Sequence, residues 1–148
     1  MECTRLFVYG SLLEGFFNYE KTLVGQVISC VPAKVRGKLF HQCKKGYPAL
    51  IPGEDWVFGE LLELSHIEKT LPLIDEVEEY FGKDKENEYD RILTNVFALT
   101  DNTWIEAHLY WYGLQDLGTK QNPVVYLPTG DWRSYMKVHE KTGTYTHS

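Results

Sequence analysis

Cysteine is scarce in this chain: Cys3, Cys30 and Cys43 are all there are in 148 residues. Their number is odd and no CxxC spacing occurs, which excludes a disulfide framework and a zinc ribbon. Positive charge is also short, with 15 Lys and Arg against 21 Asp and Glu, a formal net charge of −6. Apart from the pair Lys44-Lys45 the basic residues are scattered, so no face is expected to neutralise nucleic-acid phosphates. No apolar run is long enough to cross a bilayer. The stretch Met1-Glu2-Cys3-Thr4-Arg5 lacks the basic start, apolar run and cleavage site of a signal peptide, so a reduced, cytoplasmic setting is expected. Neither a GxGxxG nor a Walker A loop is present, and His66, His108, His139 and His147 show no HExxH spacing. No organic cofactor and no metal is therefore expected.

What the chain does have is aromatic residues, 14% of the total, with ten Tyr among them. Tyrosine joins an apolar ring to a polar tip and suits the wall between a core and a wet pocket. Length and composition fit one globular domain, placed at residues 1–136, followed by a polar tail at 137–148.

Arg5–Tyr9 reads as a buried strand ending at Gly10-Ser11, and a short helix is expected between Glu14 and Val24. Val27–Val31 and Ala33–Phe40 read as two strands punctuated by Pro32, with Gly37 marking a bulge or a close backbone approach. Tyr47–Gly53 is turn-rich, and Val57–Leu64 alternates as a strand does. The clearest helix is predicted over His66–Phe81, with Ser65 as N-cap and Glu68 completing a capping box. Pro72 is expected to break it, so that the main turns begin near Leu71. Lys83–Glu88 reads as a charged loop, and Tyr89–Leu99 with Trp104–Tyr112 as a hairpin around Asp101-Asn102. Many strands with one or two helices predict an α+β fold around a small mixed or closed sheet.

One carboxylate of the helix is out of place. With Leu71 at 0° and about 100° per residue, Ile74 lies near 300°, Val77 near 240° and Phe81 near 280°. Asp75, Glu79 and Glu76 point to roughly 40°, 80° and 140°, the solvent side, whereas Glu78 falls near 340° within the apolar arc. A buried carboxylate must be paired, hydrogen-bonded or protonated. Two readings follow: a buried pair with Arg91, or a general acid/base whose proton affinity is raised by desolvation.

The second feature is Phe7-Val8-Tyr9-Gly10-Ser11-Leu12, a strand that runs directly into glycine. Such a turn can present backbone N–H groups to an anion or a carbonyl oxygen, although it is more often only a turn. Ser11 lacks a GxSxG elbow and a recognisable His base, so it is not read as a nucleophile. His41 and Cys43 could share a strand face, but two ligands do not make a metal site. Tyr126 and Tyr135 are weaker candidates for a pocket wall.

In order, Tyr9-Gly10-Ser11-Leu12 with Gly15 and Asn18, Gly37, Tyr47-Pro48-Ala49 with Pro52, Val57 with Gly59-Glu60-Leu61, Ile74-Asp75-Glu76-Val77-Glu78, Tyr89-Asp90-Arg91 and Gly130-Asp131-Trp132 resemble the γ-glutamylcyclotransferase-like family. The resemblance spans residues 5 to 132. It implies a small mixed β-barrel with flanking helices and a polar cavity. It also implies conversion of γ-glutamyl amino acids or amines to 5-oxoproline. Glu78 matches the family's acid/base residue, and the amides of the Tyr9-Gly10-Ser11-Leu12 loop would hold the glutamyl end, with Tyr89 and Arg91 as further substrate-binding residues. The substrate carries its own nucleophile, its α-amine, so no enzymic Ser or Cys is required. Alternatives are a binding module that keeps the pocket without turnover, and removal of a γ-glutamyl group from a larger acyl or peptide substrate. Where the family often has glycine after the acid, this chain has Glu79, then Tyr80 and a longer charged loop.

Overall fold

The computed structural model describes residues 3–82 and 85–141. Of the predicted charged loop, Lys83 and Asp84 lie outside the described residues. The element order is β1 (Arg5–Val8), α1 (Phe17–Thr22), β2 (Val27–Gln42), β3 (Pro48–Leu64), α2 (Ile67–Val77), β4 (Tyr89–Ala98), β5 (Thr103–Tyr112), β6 (Val124–Tyr126) and α3 (Trp132–Lys141). The fold is α+β, as expected. Strand β3 pairs with β1, β1 with β5, β5 with β4 and β4 with β2; β2 then pairs with β3, so five strands close in a ring. Among the described strands only β1 and β5 run parallel, and β6 lies beside the end of β2.

Strand β1 is apolar on both faces because both are covered. Phe7 joins Tyr9, Val35, Leu50, Val57 and Leu109 in one core cluster, while Leu6 and Val8 pack with Leu23, Ile67 and Ile74 in another. The first cluster draws on all five strands of the ring, and the second seats α1 and α2 against the outer face of β1. Gly59 lets β3 approach β1 closely: a Cβ there would lie 2.1 Å from the carbonyl oxygen of Val8.

Several local expectations are corrected. Pro32 does not divide β2, which runs unbroken from Val27 to Gln42. The carbonyl of Pro32 accepts from Leu99 N–H, so the missing donor is tolerated where the pairing with β4 ends. The turn-rich stretch from Pro48 belongs to β3, paired residue by residue with Lys38–His41 of β2. Gly37 does mark an irregularity, a register shift between Gly37 and Lys38, and a Cβ there would lie 2.6 Å from Leu50 Cδ1. Ser65 is not the cap of α2: its hydroxyl donates to Gln26 O, and His66 takes the N-cap position without a side-chain bond. Pro72 sits inside α2 without ending it. Helix α3 crosses the boundary placed at 136 and runs to Lys141, while residues 142–148 of the expected tail lie outside the described residues.

Candidate active site

Helix α2 ends at Val77 in a pattern that fixes the next two residues. Tyr80 N–H reaches back to Asp75 O at 2.9 Å and Glu79 N–H to Glu76 O at 3.2 Å, a Schellman closure. That closure needs a left-handed residue, and Glu79 supplies it with φ of 54° where glycine is the usual choice. Glu78 is therefore the C-cap, with φ −86° and ψ 0°, one position past the end of α2 rather than inside a helix running to Phe81. Its side chain still projects to the apolar side of the turn, among Tyr9, Leu12 and Pro48, as the 100° periodicity predicts.

The Glu78 side chain points into a narrow slot lined also by Tyr9, Gly10, Ser11, Leu12, Tyr47, Pro48, Tyr89 and Tyr110. The slot's volume is about 20 Å³, room for the centre of roughly one water. Among the described residues no donor or cation engages the Glu78 carboxylate. The buried pair with Arg91 is thus corrected: Arg91 grips Asp75 instead, through Nε–Oδ1 at 2.9 Å and Nη2–Oδ2 at 3.2 Å. Asp75 is not on the solvent side either, since it also accepts from Tyr110 Oη at 2.6 Å.

Burial pushes the Glu78 carboxyl up to about 8, and the negative charges of Glu88 and Asp75 add to the effect. Its place at the negative end of α2 works in the same direction. Desolvation also raises the phenols of Tyr9 and Tyr89, and with hydrogen bonds to carboxylates those of Tyr47 and Tyr110, so all four rings line the slot in neutral form.

The loop after β1 lines the same slot. Leu13 N–H bonds Gly10 O at 2.8 Å and Tyr19 N–H bonds Ser11 O at 3.2 Å, which turns the chain sharply. Asn18 Nδ2 donates to Ser11 Oγ at 2.8 Å, so that hydroxyl is a brace. The N–H groups of Gly10, Ser11 and Leu12 donate to nothing among the described residues. Gly10 is required by contact, because a Cβ would lie 2.5 Å from Pro48 Cγ.

Of the predicted site residues, Glu78, Tyr9, Gly10, Ser11, Leu12 and Tyr89 come together in the slot, and Arg91 does not. Arg91 lies in a separate cavity of about 490 Å³ with Asp75, Glu106 and His108. Tyr89 is a wall held rigidly, donating to Pro48 O and accepting from Gln42 Nε2 at 3.1 Å. Sequence reasoning did not assign Tyr47, Pro48 and Tyr110 to the site, although Tyr47-Pro48 stood among the matching motifs. His41 is a core acceptor for Trp132 Nε1 at 3.1 Å, Tyr126 bonds Asp55 at the surface, and Tyr135 packs on His41 and His139. None of the three reaches the slot. Tyr47 also faces outward into a vestibule of about 520 Å³, bounded by Lys45, Glu79, Phe81, Glu86, Glu88 and Leu114.

The family model described as γ-glutamyl cyclotransferase, AIG2-like, matches residues 6–134. A γ-L-glutamyl-butirosin B γ-glutamyl cyclotransferase from Niallia circulans is 37% identical over 141 residues, covering 91% of this chain and 79% of the relative. Among solved structures, an uncharacterized protein from Pyrococcus horikoshii aligns with a TM-score of 0.64 at 17% identity, over 94% of this chain and 98% of that one. An AIG2-like protein from Mus musculus aligns with a TM-score of 0.56 at 22% identity, over 75% and 78% of the two chains. The structural likenesses speak to the fold, and the sequence matches speak to descent: this chain belongs to the AIG2-like γ-glutamyl cyclotransferase family.

Proposed function

We propose that the protein is a cyclotransferase that converts a γ-glutamyl amine to 5-oxoproline and the free amine, with Glu78 as proton shuttle. One observation carries the reading: a carboxylate raised to about 8, with no bonding partner among the described residues, shares a narrow slot with Gly10, Ser11 and Leu12, whose backbone N–H groups donate to nothing among those residues. The substrate α-nitrogen attacks its own γ-carbonyl carbon, forming the ring C–N bond. The bond to the leaving nitrogen then breaks. Glu78 takes the proton that the α-ammonium must lose and returns it to the departing amine, so protons balance without a second group. Amides of Gly10, Ser11 and Leu12 would receive the glutamyl carboxylate or the developing oxyanion. Ring closure is intramolecular, so positioning supplies much of the rate and no cofactor is needed.

The vestibule favours an amine as leaving group. Glu79, Glu86 and Glu88 border it, and among the described residues that line it the one cation, Lys45, is already paired to Glu88 at 2.8 Å. A departing amino acid would bring a carboxylate into that field, whereas an amine brings positive charge. The Niallia circulans relative is named for a γ-L-glutamyl compound, γ-L-glutamyl-butirosin B, which supports a γ-glutamyl substrate. The free state of Cys3, Cys30 and Cys43 supports a reducing, cytoplasmic setting.

The test is to incubate wild type and Glu78→Gln with γ-glutamyl amines and γ-glutamyl amino acids and to quantify 5-oxoproline. Release by wild type alone, faster from the amines, is expected. Equal release by both proteins would remove Glu78 from the mechanism, and ligand binding without turnover would replace the enzyme with a binding module.

A further inference from the structure

The slot is far too small for a glutamyl group in the conformation described, with a volume of about 20 Å³ against about 520 Å³ in the vestibule beside it. Among the described residues Tyr47 is the one that lines both spaces. The walls around it are fixed. Pro48 is wedged against Gly10, and Tyr89 is bonded to Pro48 O and Gln42. Tyr47 is held differently. Its ring leans on Tyr89 at 6.2 Å between centroids, and its hydroxyl donates to Glu88 Oε2 at 2.6 Å, on the vestibule side. Glu88 is anchored in turn by Lys45, whose Nζ lies 2.8 Å from the same oxygen and 2.9 Å from Tyr112 Oη. The side chain is half-buried, and its hydroxyl is tethered on the vestibule side, whereas that of Tyr110 is tethered to Asp75 on the other side.

We propose that Tyr47, tethered to Glu88, is the movable wall between slot and vestibule and determines which leaving groups are accepted. With the ring in place, the slot is separated from the vestibule. Swung aside, the ring joins the two spaces, so the glutamyl end can lie against the loop amides while the leaving group occupies the larger cavity. The size of the leaving group that fits then depends on the volume left by this one side chain. The inference rests on the cyclotransferase reading for the identity of the glutamyl end, but its test does not require turnover.

Affinities for glutamine and for a γ-glutamyl anilide are measured by calorimetry in the non-cleaving Glu78→Gln protein, alone and combined with Tyr47→Ala or Tyr47→Phe. Removing the ring should shift the affinity ratio toward the anilide by about tenfold or more, the scale on which pocket shape discriminates between substrates. Removing only the tether, in Tyr47→Phe, should shift it in the same direction by less. An unchanged ratio in both combined variants, with folding confirmed by circular dichroism, would overturn the wall. Tyr47→Phe keeps the ring and so covers the case in which Tyr47→Ala fails to fold. If the protein with Glu78 intact forms no 5-oxoproline while these affinities persist, the cyclotransferase reading fails and the ratio still decides the role of Tyr47.

Discussion

Asp75 and Glu78 stand three residues apart at the end of α2, and the protein treats them in opposite ways. Asp75 is saturated: two guanidinium nitrogens of Arg91 and the hydroxyl of Tyr110 bond its two oxygens. Glu78 shares the same turn, yet its carboxylate has no bonding partner among the described residues and opens on a slot. One acid is spent on holding α2 to the β4–β5 hairpin. The other is left short of partners, which is the condition under which a carboxyl keeps its proton and can still exchange it. Position in a motif does not distinguish the two, but their partners do. They are also coupled, because the charge of Asp75 helps raise Glu78.

The two acids should differ most in activity. Glu78→Gln should lower the rate of 5-oxoproline formation by at least about 100-fold, the lower end of general acid–base contributions. A loss under threefold at saturating substrate would make the two acids equivalent. Asp75→Asn should act on stability instead, costing about 1–3 kcal/mol by weakening a charged hydrogen-bond pair, as read from urea denaturation. A stability equal to wild type would mean that the Arg91 grip contributes nothing.

The same substitution sharpens the coupling. In wild type, kcat/KM should rise with pH through about 8 as Glu78 becomes the base. Asp75→Asn removes a neighbouring negative charge and should move that limb to lower pH; a limb that stays in place, or moves up, would contradict the coupling. Stability carries a matching signature. A carboxyl held above its unfolded value binds its proton more tightly in the folded state, so wild type should lose stability as pH rises from about 4.5 toward 8. Glu78→Gln should show less of that decline in melting temperature. The smallest effect concerns the turn between them: Glu79→Gly relieves a left-handed φ of 54° and should stabilise by about 1 kcal/mol. An accompanying change in leaving-group preference would show that Glu79 also acts in the vestibule.

The odd placement of Glu78 was legible because periodicity is local: Leu71 and Ile74 mark the apolar arc, and Glu78 falls inside it. The β4–β5 hairpin was legible from its alternation and from Asn102, which takes a positive φ of 55° at the turn. The partner of Arg91 was not legible. That depends on how β4 and β5 are laid beside α2, with Arg91 and Tyr110 as cross-strand neighbours that reach one carboxylate together. The same limit explains Pro32 and Ser65. Local propensity predicts a strand break and a helix cap, but pairing across the ring carries β2 through Pro32, and Gln26 O takes the Ser65 hydroxyl. Tyr47 and Pro48 stood within a recognisable motif, but only the closing of β3 against the loop after β1 turns them into a wall.

That closing has a consequence for how the protein can vary. A side chain at residue 10 would collide with Pro48 at 2.5 Å, so the two residues occupy one space although 38 positions separate them. Substitution of Gly10 alone meets a steric barrier, and substitution of Pro48 alone leaves a void beside the amides. A route to a wider slot therefore passes through a paired change, with the loss of Pro48 coming first. Gly10→Ala should be tolerated only in a chain where Pro48 has already been replaced, which makes the order of mutations as consequential as their identity.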